Sequence, residues 1–347
     1  WMCDCNHSLI GMIALGSAGD FKFNAEATDA TRLETLITTP DGPGGPASQD
    51  WSGYRGGPAR QAATAASVSA DGSQRWQINS RSKAESTALV TAGNRVFWSG
   101  LDGVVRAADT ESGKLLWTAY TAGPVRFPPE VWQDRVYVGS SDGWVYCFEA
   151  SSGRQLWRFR AAPVDRKIPA YGRLTSTWPV GSGVLVEDGV VYAAAGIASY
   201  DGTHVYALDT QDGGIVWQNN TSGRIGESED GAGVSVQGHL LKDKDRLYMA
   251  GGNVVSPAIY DVENGACLNT LEEIWTKTPR GRELFLVNDK VYAFDRLLYG
   301  PEQYQVGRYH AKDRFAQAVH GEVVVRARAE QVLRVAPDEE SGELVGV

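Results

Sequence analysis

Short apolar runs recur along the chain, each entered from a polar turn. Arg95-Val96-Phe97-Trp98, Arg135-Val136-Tyr137-Val138, Val190-Val191-Tyr192-Ala193, Arg246-Leu247-Tyr248-Met249 and Lys290-Val291-Tyr292-Ala293 are variants of one pattern. Ala92-Gly93-Asn94 and Gln133-Asp134 are typical of the turns before them. β-branched and aromatic runs bounded in this way predict strands joined as hairpins. Downstream comes an Asp-Gly pair at Asp102-Gly103, Asp142-Gly143 and Asp201-Gly202. Such a pair suits a type I′ turn, whose two central residues both have positive φ. Another strand follows, then a Gly-containing turn, then a strand carrying Trp. The Asp-to-Trp spacing is 15, 15 and 16 residues, and Trp76, Trp117, Trp157 and Trp217 follow one another in steps of 41, 40 and 60. Ile259-Tyr260-Asp261-Val262-Glu263-Asn264-Gly265 is a fourth, weaker copy.

Four strands per ~40 residues, repeated, predict an all-β fold, a β-propeller of four-stranded blades. A blade cannot bury both faces alone, so its neighbours must stack on it, and the repeated indoles are expected to wedge between blades. Blades are expected at about 75–116, 117–156, 157–216, 217–265 and 275–312. Residues 1–19 resemble the end of a preceding blade. Residues 20–74 form an excursion, with a short helix over Glu26 to Thr39 that aligns Leu33, Leu36 and Ile37 and then the linker Pro40-Asp41-Gly42-Pro43-Gly44-Gly45-Pro46. Residues 313–347 are expected to be an incomplete further blade. A ring of seven or eight blades is expected in the intact protein, with this chain a fragment of it.

Composition sharpens the picture at a few points. Forty Gly, 11 Trp and only 3 Met fit many tight turns and aromatic packing rather than a helical bundle. A net charge of −9 argues against a nucleic-acid partner. No apolar run approaches the ~20 residues of a membrane span, and no signal peptide is visible, so any export signal is expected outside the chain. Cys3 and Cys5 are expected in disulfides, Cys147 as a small buried apolar residue, and no metal site is expected.

From Ala107 to Trp117 the chain follows Ala-x-Asp-x-x-x-Gly-x-x-x-Trp. This pattern resembles the PQQ-like β-propeller repeat of quinoprotein alcohol dehydrogenases and of a bacterial outer-membrane assembly lipoprotein. Asp50-Trp51-Ser52-Gly53-Tyr54-Arg55-Gly56, Ala162-Pro163-Val164-Asp165-Arg166-Lys167, Ser176-Thr177-Trp178-Pro179-Val180 and Gly251-Gly252-Asn253-Val254-Val255-Ser256-Pro257 are most similar to large secreted bacterial PQQ-binding-like repeat proteins. The resemblance covers about residues 50–300. In the quinoprotein enzymes the cofactor lies under an adjacent Cys-Cys disulfide, over a Trp, with calcium and an Asp base. Cys3-Asp4-Cys5 is not that pair, so no cofactor is expected here, with PQQ and calcium the alternative.

Strand order assigns a functional face. With the Trp strand outermost, the crossings from one blade to the next share a face with the Asp-Gly turns. Chain length varies on that face, at 161–180, 196–201, 220–236 and 252–257, and loops on a rigid scaffold carry binding. Candidate ligand residues are Arg126, placed before Phe127-Pro128-Pro129 in an inner strand, together with Asp165, Arg166, Lys167, Arg173, Trp178 and Asn253. Arg and Lys beside an aromatic suit an anionic ligand. The alternative is that Arg158, Arg160, Asp165 and Arg166 pair among themselves to hold the loop. Glu227, Glu229 and Asp230 read as a solvated loop, and His204 and His239 as structural residues.

The functional expectation is a periplasmic or extracellular binding or scaffold propeller, taking an anionic polysaccharide or protein, with other parts of the full-length chain as further partners. The alternatives are a carbohydrate-active lyase or hydrolase, recruiting from Tyr171, Tyr200, Lys167 and His204, and a PQQ-dependent dehydrogenase. No spacing singles out catalytic residues.

Overall fold

The computed structural model describes residues 26–37, 50–64, 72–78, 84–170, 172–226, 232–252 and 254–270, and beyond them the backbone of seven strands between 284 and 345. After the four-residue helix α1 (Asp29–Arg32) and strand β1 (Leu33–Thr35), the chain builds antiparallel sheets in sequence order. The first is β2 (Val90–Ala92), β3 (Arg95–Trp98), β4 (Val104–Asp109) and β5 (Leu115–Tyr120). The second is β6 (Glu130–Trp132), β7 (Arg135–Gly139), β8 (Trp144–Glu149) and β9 (Gln155–Arg160). A hairpin, β10 (Lys167–Ala170) and β11 (Arg173–Ser176), precedes the third, β12 (Val184–Glu187), β13 (Val190–Ala195), β14 (His204–Asp209) and β15 (Ile215–Asn219). The fourth is β16 (Leu240–Asp243), β17 (Arg246–Met249) and β18 (Ala258–Asp261), completed by a bridge from Tyr260 to Cys267. The fifth holds β19 (Leu284–Val287), β20 (Lys290–Ala293) and β21 (Arg296–Tyr299).

These sheets are propeller blades. Their first strands, β2, β6, β12, β16 and β19, neighbour one another in chain order, as inner strands around an axis do. The apolar cores lie between sheets. One cluster joins Tyr137 and Cys147 to Val184 and Leu208, and the next joins Leu185 and Ala207 to Leu240 and Tyr260.

The repeat has a physical explanation in four residues. Asp109, Asp209 and Asp261 each accept two backbone N–H groups from the turn that follows, for Asp209 those of Gln211 (2.7 Å) and Asp212 (3.3 Å). Gly113, Gly153, Gly213 and Gly265 end that turn at φ of 67 to 77°, where an L side chain is strained. Their missing Cβ leaves room for an indole of the blade before. A Cβ on Gly153 would stand 2.6 Å from the Trp117 ring, and one on Gly113 2.6 Å from Trp76. The indole N–H then donates to a carbonyl of the next blade: Trp76 to Thr110 (2.9 Å), Trp117 to Ala150 (3.0 Å), Trp157 to Thr210 (3.3 Å) and Trp217 to Val262 (2.7 Å). Opposite Trp117, Trp157 and Trp217 on their own sheets sit small residues, Ala107↔Trp117, Cys147↔Trp157 and Ala207↔Trp217. Cys147 is fully buried there, and burial pushes its thiol up to about 12.

Several expectations are corrected. The helix over 26–39 is only α1. From Leu33 the chain turns into β1 and adds antiparallel to the outer edge of β9, Leu33↔Phe159 and Thr35↔Trp157. An unpaired edge satisfies the backbone better than a marginal short helix does, and Leu33 packs into the core between the second and third blades. The blades span 90–120, 130–160 and 184–219 rather than beginning at each Trp, because the Trp strand bonds to the strand before it. At Asp102-Gly103 and Asp142-Gly143 only the glycine has positive φ. There the Asp carboxylate accepts the N–H two residues on, from Val104 (3.1 Å) and Trp144 (3.0 Å), as an Asx turn. Both central residues are left-handed at Asp188-Gly189 on the opposite face (φ 51° and 80°). Residues 316–345 hold four consecutive antiparallel strands, β22 (Ala316–His320), β23 (Val323–Arg328), β24 (Gln331–Val335) and β25 (Glu343–Val345). Residues 1–19, with Cys3 and Cys5, lie outside the described residues.

Residues 51–60 run as a strap along the axis and bond to the inner strands β2, β6, β12, β16 and β19. Trp51 bridges Thr91 of β2, and Ser52 accepts Val131 N–H of β6 (2.7 Å). Pro58 accepts Lys242 N–H of β16 (3.1 Å) and Ala59 accepts Leu286 N–H of β19 (3.0 Å). Arg60, 1% exposed, donates Nε to Leu240 O (2.9 Å) and Nη2 to Val184 O of β12 (3.4 Å). Its Nη1 meets Glu130 Oε1 at 2.6 Å, and the same oxygen accepts Tyr54 N–H (3.0 Å). Burial pushes the Glu130 carboxyl up, against the pull of Arg60. Beside this pair Tyr54, Phe127 and His239 pack edge-on, with centroids 4.9 Å (Tyr54–His239) and 5.5 Å (Tyr54–Phe127) apart. Burial, and then Arg60, hold His239 down at about 3, so it is neutral.

Candidate functional site

The crossings between blades and the Asp-Gly turns lie together on one face. Val125 N–H donates to Gly100 O (3.0 Å), Ser141 N–H to Pro124 O (2.8 Å) and Thr121 N–H to Gly103 O (2.8 Å). Asp142 is buried in this layer and accepts Tyr146 O–H (2.7 Å), Ala122 N–H (2.8 Å) and Trp144 N–H (3.0 Å). Burial pushes its carboxyl up. With those contacts made, Asp142 is a structural acid of the turn.

The long insert stands on this layer. Its stem is fixed by Ser176 N–H to Ser141 O (2.7 Å) and Thr175 O–H to Ser141 O (2.8 Å). Above the stem β10 and β11 project as a two-stranded hairpin whose Lys167, Ile168, Pro169, Arg173 and Leu174 are all exposed. Arg173 reaches across to the first blade, donating Nη1 to Leu101 O (2.6 Å). Lys167 lies 3.7 Å from Asp165. Arg126 is exposed in the crossing ahead of β6, not in an inner strand, because β6 begins only at Glu130. Asn253, Tyr171, Glu227, Glu229 and Asp230 lie outside the described residues.

Arg166 and Trp178 form a built unit. Trp178 is 7% exposed, so it is an anchor rather than an open stacking platform. Its Nε1 donates to Asp201 O (2.6 Å), tying the insert to the short 3₁₀ turn Ser199–Asp201 of the third blade. The Arg166 guanidinium lies 4.5 Å over the indole and donates Nε to Thr177 Oγ1 (3.0 Å). Its two Nη groups meet no acceptor among the described residues, and the side chain is exposed. Stacking and the Nε bond fix the plane and leave the two Nη groups as a two-pronged donor with no acceptor among the described residues.

The mutual pairing considered for the loop is not what holds it. Arg158 pairs with Glu34 of β1 (2.7 Å) and lies over Trp144 (4.3 Å), while Arg160 also faces Trp144. Sequence reasoning missed Arg60, Glu130, Thr177 and Asn220 as individual residues. The Ser176-Thr177-Trp178 motif, the motif at 50–56, the Phe127-Pro128-Pro129 run and the 220–236 loop pointed near them.

The comparisons agree with this architecture. The family described as outer membrane protein assembly factor BamB, a PQQ-repeat family, matches residues 61–297. The chain belongs to this family. Outer membrane protein assembly factor BamB of Shewanella oneidensis is 28% identical over 222 residues, covering 60% of this chain and 50% of that protein. Quinohemoprotein alcohol dehydrogenase ADH IIB of Pseudomonas putida is 27% identical over 121 residues, 29% of this chain and 18% of that one. The chain thus spans at most about half the length of these curated relatives. Among solved structures, BamB from Moraxella catarrhalis superposes with a TM-score of 0.51 at 17% identity, over 73% of this chain and 72% of that one. A europium-containing methanol dehydrogenase gives 0.50 at 14% identity, over 86% and 57%. Both likenesses establish the fold, a PQQ-like β-propeller.

The dehydrogenase relatives raise the question of a quinone. The described residues do not fit one. The axial rings pack edge-on against one another, Cys147 is buried in a blade core, and no three His, Cys, Asp or Glu side chains among the described residues gather as metal ligands. No helix among the described residues is long and apolar enough to cross a membrane.

Proposed function

We propose that this protein is a periplasmic or extracellular binding module that holds an anionic ligand, a polysaccharide or a protein segment, on its loop face over the second and third blades. The geometry of Arg166 carries the reading: a guanidinium stacked on a buried indole, its Nε occupied and its two Nη donors, on an exposed side chain, without an acceptor among the described residues. That is the donor pattern that receives a carboxylate or sulfate bidentately. Lys167, Arg173 and Arg126 are exposed on the same face and add positive potential in a chain of net charge −9. The assembly-factor names of the relatives favour a scaffold role over catalysis. Binding is tested by passing the protein over immobilised acidic and neutral glycans and acidic proteins. Arg166→Ala with Arg173→Ala is expected to abolish retention on the acidic ligands, and unchanged retention by that double variant refutes the site.

A further inference from the structure

His204, on the same face, narrows the ligand; its role rests on the anion-binding reading of that face. We infer that His204 and Arg166 form one subsite for a carboxylated sugar, the imidazole accepting a sugar hydroxyl while the guanidinium holds the carboxylate.

His204 opens β14 just after the Asp201-Gly202 turn, and Asn220 directly follows the outer strand of the same blade. His204 Nδ1 lies 2.8 Å from Asn220 Oδ1. An amide oxygen only accepts, so the proton sits on Nδ1 and Nε2 keeps its lone pair. The amide orientation is itself fixed, since Asn220 Nδ2 donates to Gln218 Oε1 (3.2 Å) and Tyr206 O–H approaches the same Oδ1 (3.4 Å). Nε2 meets no donor among the described residues. Burial, joined by the Arg32 guanidinium, holds His204 below its ordinary value, so at neutral pH it is an uncharged acceptor.

The two halves of the subsite meet at Trp178. The His204 ring stands edge-on to that indole at 6.4 Å between centroids, and Arg166 covers the indole at 4.5 Å. A Cβ on Gly202 would stand 3.2 Å from His204 Nε2 and 3.8 Å from Trp178 Nε1, so bare backbone keeps the space beside the lone pair clear. Tyr200, 75% exposed, is two residues away and offers a ring for a sugar face.

A lone pair beside a fork of N–H donors sorts anions. A densely sulfated sugar keeps few hydroxyl donors, and its sulfate oxygens carry no proton, so the Nε2 lone pair repels them. A uronate combines a planar two-oxygen carboxylate, matched to the Nη fork, with hydroxyl donors on the neighbouring ring carbons.

The test uses the full chain with polygalacturonate, dextran sulfate and neutral dextran as probes, read by biolayer interferometry. The wild type is expected to bind polygalacturonate more tightly than dextran sulfate and to ignore dextran. His204→Phe removes the acceptor and is expected to weaken polygalacturonate about three- to tenfold, the range of one hydrogen bond, without weakening dextran sulfate. His204→Gln restores an acceptor and recovers part of that loss, which a merely structural role would not. Equal affinity of His204→Phe and wild type for polygalacturonate overturns the inference, as does a wild-type preference for dextran sulfate. If neither polyanion binds, or Arg166→Ala binds both as the wild type does, it is the anion-binding reading that fails.

Discussion

Arg60→Met is the most informative single perturbation of the fold. It removes a guanidinium that is 1% exposed and leaves Glu130, 4% exposed, without its 2.6 Å partner. Breaking a buried ion pair from one side costs about 3–5 kcal/mol, because the remaining charge stays desolvated. The same change cuts the strap's side-chain bonds to Val184 O and Leu240 O, so two inner strands also lose a donor. The cost depends on pH in a definite direction. Burial already raises the Glu130 carboxyl, so in the interval between the ordinary and the raised value the folded state binds more proton than the unfolded chain. Stability from this group is therefore greatest in acid and falls as pH rises from the ordinary carboxylate value through the raised one. Without Arg60 the opposing pull is gone and the penalty widens. Urea unfolding followed by Trp fluorescence should show a larger deficit for Arg60→Met at pH 7 than at pH 5. Adding Glu130→Gln should recover part of the loss and remove the pH dependence, with Gln still able to accept Tyr54 N–H. A variant that unfolds at the wild-type midpoint, or with an equal deficit at both pH values, would refute the buried pair.

Gly153→Ala places a side chain at φ 74° and 2.6 Å from the Trp117 ring; about 2–4 kcal/mol is expected from strain and overpacking together. Trp117→Phe in the same chain should make that cost smaller than the sum of the single changes, as a double-mutant cycle in urea would show. His239 is held at about 3 in the fold against its ordinary 6.5, so below pH 6.5 the unfolded chain binds the extra proton. Stability should drop by roughly 1.4 kcal/mol per pH unit between those limits, a slope that His239→Gln should lack in acid titrations of the urea midpoint. Glu34→Ala breaks only a half-exposed pair with Arg158 and should change stability by about 1 kcal/mol or less, measured in the same way.

The repeat was legible because each of its residues answers one local demand. Asp caps a turn, Gly takes a left-handed φ and makes room, and Trp fills that room in the neighbouring blade, so spacing alone encodes the blade-to-blade lock. The loop face followed from strand order and from where length varies. Long-range pairing was not legible. The Glu26–Thr39 segment has a helical apolar pattern, and only the open edge of β9 makes it a strand after Arg32. Arg60 and Glu130 look like ordinary surface charges, yet they are 70 positions apart in the chain and meet on the axis. Trp178 and His204 each appeared singly, and only the 199–202 turn brings them together. Type I′ geometry failed at Asp102 and Asp142 because the aspartate side chain does the turning there, whereas Asp188-Gly189 closes a two-residue hairpin in which both residues must be left-handed.

Hydrogen exchange with and without oligogalacturonate tests the loop-face assignment most directly. Protection is expected in 164–178 and 199–205, with the opposite-face turns at 93–94, 133–134, 188–189 and 244–245 unchanged. Protection at those turns, or confined to the axial strap 51–60, would contradict the assignment.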